Sequence, residues 1–85
     1  MEIYYQPKFQ KQYQKLSSKL KAIAKKKENI FRKNPFDARL KTHQLHGDFI
    51  GFLAFSLNYK YRIIFDFADE NLARFYRIGT HDIYR

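Results

Sequence analysis

Three side chains in the last third of the chain have the types needed for chemistry on a phosphate diester. Arg62 stands at the start of an apolar run, His81 follows a Gly-Thr pair, and Tyr84 lies almost at the C-terminus. A guanidinium can hold a phosphate, an imidazole can move a proton near neutral pH, and a phenol can stack on a base. Together they suggest a phosphate-directed site.

Each of these residues also has an ordinary structural interpretation. Arg62 could pair with Asp66, which lies four positions further along the same strand and on the same face. Tyr84 could cover an edge of the core. His81 follows a strand end, where functional side chains often project. The residue types alone leave both interpretations open.

The two remaining histidines, His43 and His46, form an H-x-x-H pair. This spacing occurs in zinc sites, but here it falls in a predicted loop with no carboxylate placed as a third ligand. Solvated loop histidines are the default for such a pattern. We therefore predict no metal and no cofactor.

The N-terminal part predicts a short strand and a helical hairpin. Residues 1–5 have strand character, and apolar residues three and four apart then indicate helices at about 8–17 and 19–33. A Ser17-Ser18 pair separates them, and either hydroxyl could cap the second helix. An Asn-Pro pair ends it, because proline disfavours helical backbone at the residue before it.

The C-terminal part predicts three strands, at Phe49–Leu57, Tyr61–Phe67 and Leu72–Ile78, with short turns that require antiparallel neighbours. The odd positions from 61 to 67 are all apolar and should pack on the helices, which leaves Arg62 on the open side. Leu72–Ile78 is less clear, since Arg74 and Arg77 fall on opposite faces. The predicted fold is α+β: a single domain, 1–85, with the strand and hairpin packed on one face of an antiparallel sheet of about four strands.

Charge and composition narrow the partners. Residues 1–34 carry ten Lys or Arg and two Glu, so they hold most of the net charge of +9, while residues 61–85 are neutral. Such a field favours nucleic acid, an anionic membrane or an acidic protein. The chain has no cysteine and no apolar run long enough to span a membrane, and we see no signal peptide. We expect a cytoplasmic protein without a membrane role.

Several motifs, in their order and spacing, resemble the RelE/ParE superfamily of type II toxins, and most of all its RelE/StbE and YafQ-like mRNA interferases. The resemblance covers nearly the whole chain. Its motifs are N-P-F-D-x-R-L-K-x-H-x-L-x-G at 34–47, Y-R-I-I-F at 61–65 and I-G-T-H-D at 78–82.

The resemblance implies a compact α+β fold, cleavage of mRNA in the ribosomal A site, and neutralisation by a co-expressed antitoxin, which we expect to be acidic. It also implies roles for individual residues. Arg62 would clamp the scissile phosphate, while His81, His43 and Tyr84 would complete the catalytic set. We expect four further residues to bind substrate: Lys60, Tyr61, His46 and Arg77.

The catalytic set is incomplete relative to either branch. Ser56 and Lys60 stand where YafQ-like proteins carry a histidine and an aspartate, and His81 stands where RelE has an arginine. The hypothesis is a metal-independent ribonuclease in which the substrate 2′-OH is the nucleophile. His81 or His43 would be the base, and His81 or Tyr84 the acid.

Two other functions remain open. A ParE-like toxin would bind DNA gyrase without cutting nucleic acid, and a basic RNA-binding module would have no activity at all. The lysine-rich helices suit ribosomal RNA or an acidic antitoxin segment equally well.

Overall fold

A mixed sheet of five strands carries two helices on one face in the computed structural model, which describes residues 1–84. The elements are β1 (Glu2–Tyr5), α1 (Pro7–Gln14), α2 (Ser18–Lys33), β2 (His43–Gln44), β3 (Leu53–Ser56), β4 (Arg62–Asp69) and β5 (Leu72–Gly79). The strand order across the sheet is β1-β5-β4-β3-β2. We call the side that packs on the helices the helical face and the other side the open face.

The helical hairpin follows its local signals. Pro7 occupies the start of α1, and the Ser17 hydroxyl accepts from the Leu20 N–H at 3.2 Å, so Ser17 is the one of the two candidate serines that caps α2. Asn34 has extended backbone and ends α2 before the proline, as predicted. Helix α1 stops at Gln14, earlier than expected. Within residues 1–84, no helix is long and apolar enough to cross a membrane.

The core lies between the hairpin and the helical face. Ile63 and Phe65 of β4 are almost fully buried there, and Tyr61 and Phe67 pack against the same cluster. The apolar face predicted from alternation in β4 is therefore confirmed. The α+β class and the hairpin on one face of the sheet are confirmed with it.

The sheet differs from the prediction at both of its edges. Strand β1 pairs with β5 in parallel, from Glu2 opposite Leu72 to Tyr5 opposite Phe75. Strand β1 is followed in the chain by the helical hairpin rather than by a short turn, so nothing in its connection requires an antiparallel neighbour. At the other edge His43–Gln44, predicted as loop, forms the two-residue strand β2 antiparallel to β3.

Strand β3 is shorter than the predicted 49–57. Gly47 and Gly51 have φ of 64° and 93°, a left-handed backbone that an extended strand does not use. The chain therefore makes a 3-10 turn at Gly47–Phe49 and becomes extended only at Leu53.

A β-bulge in β5 corrects the assignment of two arginines to opposite faces. Ile64 pairs with Arg77 and Phe65 pairs with Phe75, so Tyr76 is the extra residue on β5. Because Asp66 pairs with Arg74, both arginines lie on the open face with the even positions of β4. The Ile78 N–H next to the bulge donates to the Gln12 side chain at 2.9 Å.

Candidate functional site on the open face

The last described residues fold back over the open face as a 3-10 turn, His81–Tyr84, which we call the C-terminal turn. It packs through Ile83, only 4% exposed, which lies above Gly79. A Cβ on Gly79 would lie 2.7 Å from Ile83 Cγ2, so glycine is what allows this close approach. The Ile83 N–H donates to the Thr80 carbonyl at 3.0 Å and closes the turn.

The C-terminal turn brings the three chemically suggestive residues together. Arg62 Nη1 donates to the Tyr84 hydroxyl at 3.5 Å, and the ring of His81 lies 5.5 Å from the ring of Tyr84 in an edge-on arrangement. His81 is exposed, whereas Arg62 and Tyr84 are partly buried. A guanidinium, a phenol and an imidazole thus line one shallow surface.

The segment between Gly47 and Phe52 places two aromatic rings, Phe49 and Phe52, beside this surface, and we call them the aromatic wall. The ring of Phe49 lies 5.7 Å from that of Tyr84, and Phe52 meets Tyr76 edge-on at 5.0 Å. Arg77 contacts both the C-terminal turn and this aromatic wall: its Nη1 donates to the Ile83 carbonyl at 2.9 Å, and its Cζ lies 5.8 Å from the centre of the Phe49 ring.

The alternative partner for Arg62 is occupied elsewhere. Asp66 accepts two hydrogen bonds from Arg74, both at 2.8 Å, and one from the Tyr76 hydroxyl at 3.1 Å. Burial and the hydrogen bond to Asp66 raise the pKa of Tyr76, so its hydroxyl stays protonated and keeps donating. The structural interpretation, an Arg62–Asp66 pair, is therefore replaced by an Arg74–Asp66 pair.

The other two histidines lie further out. His43 is exposed on β2, with Nδ1 3.0 Å from the Lys41 carbonyl oxygen, and it pairs with Ala54, so it shares the open face. Two strand spacings, roughly 10 Å, separate β2 from the strand that carries Arg62. His46 is exposed before the 3-10 turn at Gly47–Phe49. Among residues 1–84, no three histidine or acidic side chains are grouped as metal ligands would be.

The predicted substrate-binding residues divide between the two faces. Arg77 lies within the site, and Lys60 is exposed in the turn just before β4. Tyr61 packs against the core cluster on the helical face, away from Arg62. Phe49, Phe52 and Tyr76 were not singled out from the sequence. The sequence signal that could have indicated the first two is their position as an aromatic pair close to Gly47 and Gly51.

The site combines a cation with groups that can donate or accept protons. Arg62 offers a fixed cation, since β4 is a central strand of the sheet. Tyr84 brings a hydroxyl to that cation, and the exposed ring of His81 lies beside Tyr84. The aromatic wall adds surfaces on which bases could stack.

No protein family model and no curated protein sequence matches the chain. Solved structures do match over nearly its full length, and they show that its fold is the one found in the YafQ toxin and in a YoeB/ParE toxin. This confirms the fold that the sequence resemblance implied.

Three of the similar solved structures are toxins or toxin complexes. YafQ from E. coli BL21(DE3) has a TM-score of 0.80 at 22% identity and covers 98% of this chain and 96% of its own. The YoeB/ParE toxin from Agrobacterium tumefaciens has a TM-score of 0.81 at 14% identity, and the match covers 95% of this chain and 99% of that toxin. For the E. coli DinJ–YafQ toxin–antitoxin complex the TM-score is 0.77 at 22% identity, and the match covers 96% of this chain and 93% of the matched chain.

Proposed function

We propose that this protein is the toxin of a type II toxin–antitoxin pair and that it cuts mRNA on the ribosome. The observation that carries the proposal is the meeting of Arg62 and Tyr84 at 3.5 Å, with His81 beside them, on the face not covered by helices. Three residues from distant parts of the chain share one surface in a fold that toxins also use.

The partners follow from the charge and the fold. A net charge of +9, held mostly by residues 1–34, suits an acidic antitoxin as well as ribosomal RNA. The solved YafQ and YoeB structures include complexes with the antitoxins DinJ and YefM, respectively. An enzyme that acts on translating ribosomes works in the cytoplasm.

The chemistry is an internal transfer at one phosphate. His81 takes the proton of the 2′-OH, O2′ bonds to phosphorus, and the bond from phosphorus to O5′ breaks. Tyr84 gives its proton to the leaving O5′, and Arg62 offsets the charge that grows on the phosphate oxygens, an effect of a few kcal/mol. The products are a 2′,3′-cyclic phosphate and a 5′-hydroxyl.

The test is cleavage of a defined message on purified ribosomes. The unmodified protein should cut within the A-site codon and leave a 2′,3′-cyclic phosphate. Arg62→Ala and His81→Ala should each lower the rate by about 100-fold or more. Arg39→Gln, which removes an exposed arginine paired with Asp37 outside the site, should leave the rate unchanged.

Other outcomes would reassign the protein. An intact message together with inhibited DNA gyrase would establish the ParE-like binding poison. RNA binding without cleavage, from a chain that is harmless when expressed alone, would establish the basic binding module. Cleavage unchanged in both Arg62→Ala and His81→Ala would move the active site elsewhere.

A further inference from the structure

Arg77 makes contacts that link three separate parts of the chain. The bulge at Tyr76 places it on the open face, opposite Ile64. One edge of its guanidinium donates to the Ile83 carbonyl at 2.9 Å, and the group lies 5.8 Å from the centre of the Phe49 ring. A planar guanidinium can bind through its edge and stack through its face at the same time, which an ammonium cannot do.

The carbonyl that Arg77 holds belongs to the residue just before Tyr84. The C-terminal turn has only four residues, too few to be stable by itself. Its position therefore depends on the burial of Ile83 over Gly79 and on what Arg77 and Phe49 provide. Phe49 also contacts the ring of Tyr84, at 5.7 Å.

We propose that Arg77 is a positioning residue, and that Arg77 and Phe49 form a clasp that fixes the C-terminal turn on the sheet. The clasp keeps Tyr84 and His81 beside Arg62, and Arg77 acts through Ile83 and Phe49 rather than on the phosphate. Its consequence for catalysis rests on the proposed function, whereas its consequence for the turn does not.

The first experiment measures the turn without any substrate. Hydrogen exchange of the Ile83 amide, followed by NMR in the full-length protein, should become at least about tenfold faster in Arg77→Gln, since the turn opens more often. Arg77→Lys should also speed exchange, because a lysine cannot hold Ile83 and stack on Phe49 together. Phe49→Leu, which keeps an apolar side chain but removes the ring, should show a smaller increase.

Arg74→Gln is the matched control. Arg74 lies on the same strand and face, three residues from Arg77, but its partner is Asp66 rather than the turn. Its loss should leave Ile83 exchange unchanged. Equal exchange in Arg77→Gln, Arg77→Lys and the unmodified protein would overturn the proposal, as would an equal increase in Arg74→Gln.

The second experiment separates positioning from direct contact. If Arg77 positions the turn, Arg77→Lys lowers kcat by about tenfold or more with KM little changed, because the catalytic groups are misplaced. A raised KM with unchanged kcat would assign Arg77 to direct phosphate binding and refute the clasp. Absence of cleavage by the unmodified protein would refute the proposed function, while the exchange data would still decide the clasp.

Discussion

The two faces of the sheet are built in different ways. On the helical face, Phe31 is fully buried against Phe55, Phe65 and Phe75, with ring centres 4.9 to 5.1 Å away. Regular helices cover that face. On the open face, two short turns and a bulge hold arginines and partly exposed aromatic rings. Stability is therefore concentrated under the hairpin, whereas the candidate site combines Arg62 of the regular strand β4 with Tyr84 and His81 of an irregular turn.

The largest effect should come from the helical face. Phe31→Ala would leave a cavity among three phenylalanine rings and cost about 3–5 kcal/mol. That is a large part of the stability of a domain of this size. Urea unfolding followed by circular dichroism should show a much lower midpoint, and activity should fall only as the folded fraction falls. A variant of near-normal stability would contradict this account of the core.

A smaller effect on stability but a direct one on the site should follow Gly79→Ala. The new Cβ would lie 2.7 Å from Ile83 Cγ2 and push the C-terminal turn away, at a cost of about 1–3 kcal/mol. Cleavage should therefore fall even where the protein is fully folded. Combining it with Ile83→Ala removes the clash, so the two stability losses should not add. Simple additivity in urea unfolding would contradict the predicted contact.

A substitution on the helical side that causes a moderate loss of stability should leave the activity of the site unchanged. Ser17→Ala removes the hydroxyl that accepts from the Leu20 N–H at the start of α2. The expected loss is about 1 kcal/mol of unfolding free energy, with unchanged kcat and KM. Ser18→Ala is the matched control and should change neither quantity. A loss of activity in folded Ser17→Ala would show that the two faces are not independent.

The smallest effect concerns pH. Burial raises the pKa of Glu28 above its ordinary 4.5, although Arg32 partly offsets it. A raised folded-state pKa contributes stability that is complete below the unfolded pKa and is lost as pH rises through the folded one. Glu28→Gln should therefore gain stability relative to the unmodified protein as the pH rises above 4.5, the ordinary pKa of the carboxyl. A difference that does not change with pH would contradict the raised pKa.

The contrast between the faces also explains what the sequence could predict. Alternation from Tyr61 to Phe67 and the helical spacing before Asn34 depend only on local period, so the hairpin, the core face and the side of Arg62 followed directly. The Tyr76 bulge and the parallel pairing of β1 depend on tertiary pairing that local spacing does not contain. The positive φ at Gly51 likewise interrupts the strand that composition favoured at 49–57.

The candidate site was predictable in part for the same reason. Arg62, His81 and Tyr84 were identified by residue type and resemblance, and the structure brings them together. The aromatic wall and the contact of Arg77 with Ile83 were not, because they require knowing how two irregular segments fold over the sheet. The reaction and the role of each residue in it stay predictions.

The most direct test of the central claim compares one charge on each face. Arg62→Gln and Lys26→Gln each remove a single positive charge, the first beside Tyr84 and the second from the exposed side of α2. With ribosome-bound message as substrate, the account predicts a loss of about 100-fold or more for Arg62→Gln and almost none for Lys26→Gln. Equal losses, or full activity in Arg62→Gln, would contradict it.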